Sequence, residues 1–169
     1  MFLGKDDIQL GVNESARDTA TVLSSMASCL VARVGSHEDI LSLASYSSVP
    51  VINALSDAYH PLQAITDVLT IKEAFPSHFP TLASPMPTQP LKVAWVGDAN
   101  NVLYDLMAAC GMSGISVGIA TPKGYPVDLD MLEIARRAAD EARNGAKIVI
   151  EEGPEAAVKN ADVIVTDTW

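Results

Sequence analysis

Apolar runs of four to seven residues alternate with longer segments of helical spacing along almost the whole chain, and this alternation limits the possible folds more than any other feature. A strand followed by a helix and then another strand has to cross over. Such a connection makes neighbouring strands parallel and lays helices on the sheet faces. The pattern therefore predicts an α/β protein built from parallel sheets with flanking helices.

The spacing predicts a helix over 13–30, where Ser15 and Asp18 sit at the separation of a capping box. A strand over 30–34 closes at Gly35, and Ser36 can cap a helix over 38–46. A second strand is expected over 49–55, and Pro61 opens a helix to about residue 74, a position where the missing N–H is harmless. Five of the ten prolines then fall between Pro76 and Pro90, which marks 75–90 as a linker between a first domain, 1–74, and a second, 91–169. Beyond it the alternation resumes, with strands over 91–97, 115–120, 147–151 and 163–166. Helices are expected over 100–111, 128–143 and 154–159, with Asn144-Gly145 as the stop of the second.

Composition excludes several classes. Hydrophobic residues make up 49% of 169, enough to bury a core. Eleven Lys and Arg against 21 Asp and Glu leave a net charge of -10, which argues against a nucleic-acid partner. No apolar run approaches the length of a membrane span. Cys29 and Cys110 form no metal-binding spacing and are expected in the core rather than as nucleophiles, and His37, His60 and His78 are scattered. Neither the dinucleotide glycine pattern nor the phosphate-loop pattern occurs, so the dinucleotide-cofactor reading is weak, and no metal-ligand constellation emerges.

In open parallel sheets ligands bind beyond the C-terminal strand ends. Polar residues at those positions are Arg33; Asn53, Ser56, Asp57 and His60; Asp98, Asn100 and Asn101; Thr121 and Lys123; and Thr166, Asp167 and Thr168. His60 and Gln63 share one helix end, where an imidazole can donate to a carbonyl oxygen while an amide accepts from an adjacent N–H. Alternatively, His60 caps the helix and Gln63 is solvated. Arg33, inside an apolar strand, is expected to be buried, either in an internal salt bridge or on a bound anion. The 98–101 stretch is open to ordinary helix capping, and Asp167 to either an ammonium ligand or a surface turn.

Taken together, several blocks of residues resemble the ornithine carbamoyltransferases, the fungal branch in particular. They are Phe2-Leu3-Gly4-Lys5-Asp6-Asp7, Val31-Ala32-Arg33-Val34, His60-Pro61-Leu62-Gln63, Trp95-Val96-Gly97-Asp98-Ala99-Asn100-Asn101, Thr121-Pro122-Lys123-Gly124 and Thr166-Asp167-Thr168-Trp169. The resemblance implies parts of two Rossmann-like domains, one for carbamoyl phosphate with a bridging helix after Pro61 and one for ornithine, commonly assembled as a homotrimer without a cofactor. It implies that Arg33 and His60 are catalytic and contact carbamoyl phosphate together with Gln63, and that Asn101 and Asp167 hold ornithine. Mitochondrial matrix and cytoplasm are both compatible with it.

Two motifs of that family, S-T-R-T and H-C-L-P, have no counterpart in the sequence. The expectation is therefore an internal part of a longer enzyme, inactive alone, with open sheet edges and uncovered apolar faces. The alternatives are a short non-catalytic paralogue that pairs with intact subunits, and a transcarbamylase for another amine.

Overall fold

The computed structural model describes residues 1–4, 7–8, 14–79 and 90–167. The chain divides into two compact units, residues 1–60 and 61–169.

In the first unit, α1 (Ala16–Met26), β1 (Leu30–Arg33), α2 (His37–Tyr46) and β2 (Val51–Leu55) follow the expected order. Ser15 caps α1 by accepting from the Asp18 N–H at 3.1 Å and donates its own hydroxyl to the Asp18 carboxylate at 2.7 Å. Asn13, the expected helix start, lies outside the described residues. At its other end α1 stops at Met26, four residues short of expectation. Ala27 is extended, and the Leu30 N–H is already committed to Pro50 O at 2.9 Å. β1 and β2 pair in parallel with Leu30 against Val51 and Ala32 against Asn53. The register then steps so that Arg33 lies against Leu55, leaving Ala54 as an extra residue. Ala20, Ile40 and Leu43 are the buried apolar residues of this unit among those described. The register partners Val31 and Ile52 share the open face of the sheet, 61% and 40% exposed.

The second unit holds α3 (Pro61–Ala74), β3 (Lys92–Val96), α4 (Asn101–Met112), β4 (Ser116–Ala120), α5 (Leu129–Ala142), β5 (Ile148–Ile150), α6 (Pro154–Val158) and β6 (Val163–Val165). Of the proline-rich stretch, Pro76–His78 makes a single 3₁₀ turn, and residues 80–89 lie outside the described set. The four strands are all parallel in the order β5-β4-β3-β6. Alternate residues of β3 face opposite sides, as the strand period of two requires. Val93 and Trp95 join Val117, Ile119 and Ile148 in a core closed by Leu103, Leu106 and Met107 of α4 and Leu132, Ala135 and Ala139 of α5. Ala94 and Ala120 face the other way and meet Ala157 of α6. Small residues there let a short helix sit close to the sheet.

Two local details depart from the sequence pattern. The left-handed residue that ends α5 is Arg143 (φ 51°), one position before the expected Asn144. The Asn144 amide instead donates to the carbonyls of Gly111 and Met112 at 2.8 and 3.1 Å, capping the C-terminus of α4. At Gly118 an added Cβ would lie 2.9 Å from Lys92 Cε, because the Lys92 side chain crosses the sheet there. Its ammonium reaches Lys159 O at 3.0 Å and Glu151 at 3.6 Å.

Candidate functional site

In the first unit the polar residues gather beyond the C-terminal ends of β1 and β2. The loop after β2 is tied down on several sides. Ser56 is fully buried, its N–H donates to Tyr59 O at 2.8 Å, and its hydroxyl accepts from the Tyr59 N–H at 3.2 Å. The Asp57 N–H donates to Gly35 O at 2.7 Å, and the Asp57 carboxylate accepts from the His37 N–H at 2.8 Å. The His37 ring closes the arrangement, with Nδ1 3.0 Å from Ser56 Oγ and the imidazole edge-on to Tyr59. This loop delivers half-buried His60 immediately before α3. Sequence reasoning missed the role of His37, which works across 19 residues and leaves no local signature.

Arg33 corrects an expectation. It is exposed rather than buried, and it forms no ion pair among the described residues. The apolar strand around it is covered on one face only, and Arg33 sits where the register steps, at the strand end. The internal salt bridge is thereby ruled out among the described residues. Its side chain is exposed to solvent.

In the second unit the chain runs outward from β3 to β5 and then returns through α6 to place β6 on the other side of β3. The strand order therefore reverses between β3 and β6, the topological switch at which open α/β sheets bind ligands. Asn100 and Asn101 follow β3, and Asp167 follows β6. The strand ends come close: a Cβ on Gly97 would lie 3.6 Å from Thr166 Oγ1 and 3.9 Å from Asp167 N. Trp95, wholly buried, donates from its indole N–H to the carbonyls of Gly97 and Asp98 at 3.3 and 3.2 Å and so fixes the loop that leads into α4.

Asn100 caps α4 by accepting from the Val102 and Leu103 N–H groups at 3.1 and 3.2 Å, and its amide donates to the Asp167 carboxylate at 2.7 Å. Asn101, half-buried, is the first residue of the helix, at the end where backbone N–H groups favour an anion. Asp167 is thus joined to the α4 terminus and is not a surface turn. Thr168 lies outside the described residues.

Gln63 is likewise engaged rather than merely solvated. Its Nε2 donates to Asp67 Oδ1 at 2.8 Å, one helical turn on. An ionised carboxylate only accepts, so the amide orientation is settled chemically, and Oε1 is the end left to receive an N–H. The same Asp67 affects Cys110. Burial first, and then the negative charge of Asp67, push that thiol up to about 12 from an ordinary 9.0. Cys110 is therefore a neutral core residue, as expected, whereas Cys29 is exposed, against expectation. No group of three or more metal-ligating side chains occurs among the described residues. Nor is any described helix long and apolar enough to cross a membrane.

Comparison with known proteins gives a consistent result. Residues 1–73 match the carbamoyl-P binding domain model of the aspartate/ornithine carbamoyltransferases, and residues 89–169 match their Asp/Orn binding domain model. The mitochondrial ornithine carbamoyltransferase of Coccidioides immitis is 56% identical over 172 residues, covering 100% of this chain and 49% of that protein. The Aspergillus niger mitochondrial enzyme of the same name is 55% identical, covering 100% of this chain and 46% of its own length. The crystal structure from Coccidioides immitis superposes with a TM-score of 0.87 at 54% identity, over 100% of this chain and 52% of that one. The chain thus spans about half the length of the relatives it matches.

Proposed function

Because this chain belongs to the aspartate/ornithine carbamoyltransferase family, we propose that the protein carrying it transfers the carbamoyl group of carbamoyl phosphate to the side-chain amine of L-ornithine. The products are L-citrulline and phosphate, a step of arginine biosynthesis. The observation that carries this reading is similarity over the whole chain, at 56% identity, to a protein named for that reaction. Residues 1–74 serve carbamoyl phosphate, 75–90 link, and 91–169 serve ornithine.

The chemistry assigns a role to each candidate. The neutral amine of ornithine attacks the carbamoyl carbon, a C–N bond forms, and negative charge gathers on the carbonyl oxygen. His60 donates a hydrogen bond to that oxygen. The C–O bond to phosphate then breaks, the electron pair leaves with phosphate, and the amine nitrogen gives up a proton. Arg33 neutralises the phosphate. Gln63 Oε1 accepts from the carbamoyl NH₂ while Nε2 stays bonded to Asp67. Asn101 takes the ornithine α-carboxylate, and Asp167 takes the α-ammonium. The protein works as a homotrimer, in the mitochondrial matrix or the cytoplasm.

Citrulline formation from carbamoyl phosphate is the test. Ornithine is expected to be the accepted amine, and His60→Ala should lower kcat by about 10²–10³, the usual effect of losing one oxyanion donor. Equal turnover with aspartate, or an undiminished His60→Ala protein, would defeat the assignment.

A further inference from the structure

We infer that Asn100 is a positioning residue that holds the Asp167 carboxylate in its ornithine-binding pose. This rests on the proposed role of Asp167 and extends it to a residue that does not itself touch substrate. An amide carries an acceptor and a donor on separate atoms and so can cap the helix and reach a distant carboxylate at once. Its Oδ1 is occupied by the Val102 and Leu103 N–H groups, which settles which end is oxygen. The NH₂ must then face away from the helix, where it meets Asp167 Oδ2 at 2.7 Å, a short bond to a charged acceptor.

The two partners are 67 residues apart in sequence. The bond therefore joins the α4 terminus to the end of β6 across the place where strand order reverses, and local folding alone would not create it. Capping does not explain the choice of residue, since Ser or Asp would cap as well as Asn. The bond to Asp167 does explain it. Serine is one bond shorter, and aspartate would place a second carboxylate against the first.

The experiment uses Asn100→Ser in the protein that carries this chain, with Asn100→Ala and Asp167→Asn beside it. Asn100→Ser keeps a competent cap, so its Tm should fall only by the loss of the bond to Asp167, and its KM for carbamoyl phosphate should stay unchanged. Its KM for ornithine should rise about tenfold or more, because the Asp167 carboxylate is no longer held in place. Asn100→Ala should show the same rise together with a lower Tm. If Asp167→Asn impairs ornithine use but Asn100→Ser does not, the positioning role is wrong while the ornithine site stands. If Asp167→Asn leaves ornithine use intact, the reading of the site fails and the positioning role with it. Equal rises in both KM values for Asn100→Ser would make Asn100 merely structural and overturn the inference.

Discussion

The two units use the same alternation of strand and helix and reach different degrees of closure. In residues 61–169 one face of a four-stranded sheet is closed by α4 and α5, so that Trp95, Leu103, Leu106, Met107 and Ile119 are wholly buried, while α6 covers only the middle of the other face and leaves Ile164 63% exposed. In residues 1–60 two strands carry a bare face on which Val31 and Ile52 stand exposed. Their polar strand ends differ less. Each unit pins its loops with buried or half-buried hydrogen bonds, Ser56 and His37 in one, Trp95 and Asn100 in the other. An apolar strand sequence therefore reports that a strand exists but says little about how many of its faces are covered. Loop order at a strand end does not depend on that cover.

The sharpest way to break this contrast is to cut one apolar side chain from each unit. Leu106→Ala should lower the unfolding free energy by about 2–5 kcal/mol, because it leaves a cavity in a closed core. Val31→Ala, at an exposed site, should change it by less than about 0.5 kcal/mol. Urea titration of the two variants measures both, and similar losses would mean the open face is covered in solution.

The cysteines sharpen the contrast further. An alkylating reagent should modify Cys29 in the native chain and Cys110 only after unfolding, as read by mass spectrometry. Unfolded, the Cys110 thiol ionises near 9.0; folded, it holds its proton to about 12. The unfolded state loses the proton first, so stability should fall as pH rises through that window, by about 1.4 kcal/mol per unit. Cys110→Ala should lack that slope, whereas Cys29→Ala should retain it. The smallest effect concerns the cap that α5 lends to α4. Asn144→Ala should lower stability by about 1 kcal/mol, as seen in thermal melts, by leaving the Gly111 and Met112 carbonyls without this donor.

What the sequence made legible was local. Pro61 at a helix start, Asn100 as an N-cap and the paired use of Ser15 and Asp18 all act within a few residues, and each appears where the pattern put it. What escaped acts across the fold. Asn144 read as a helix stop, but its side chain reaches over 30 residues back to cap another helix. His37 read as one of three scattered histidines, yet it braces the loop before His60. Arg33 misled because exposure in a strand depends on which face is covered, and strand periodicity is blind to that. Of the candidate site, the residue types were visible in sequence. The hydrogen bonds that orient Gln63 and Asp167 were not, since a polar residue at a strand end does not name its partner.

The lysine that crosses the sheet at Gly118 carries an evolutionary consequence. Its stem takes the space a side chain at 118 would fill, while its head joins the end of β5 to the end of α6. Growth at position 118 would therefore displace the Lys92 ammonium from both partners. Among relatives these two positions should vary as a pair, with a bulkier residue at 118 accompanied by a shorter one at 92. A lineage that changes only one of them would lose the tie between the strand and the helix.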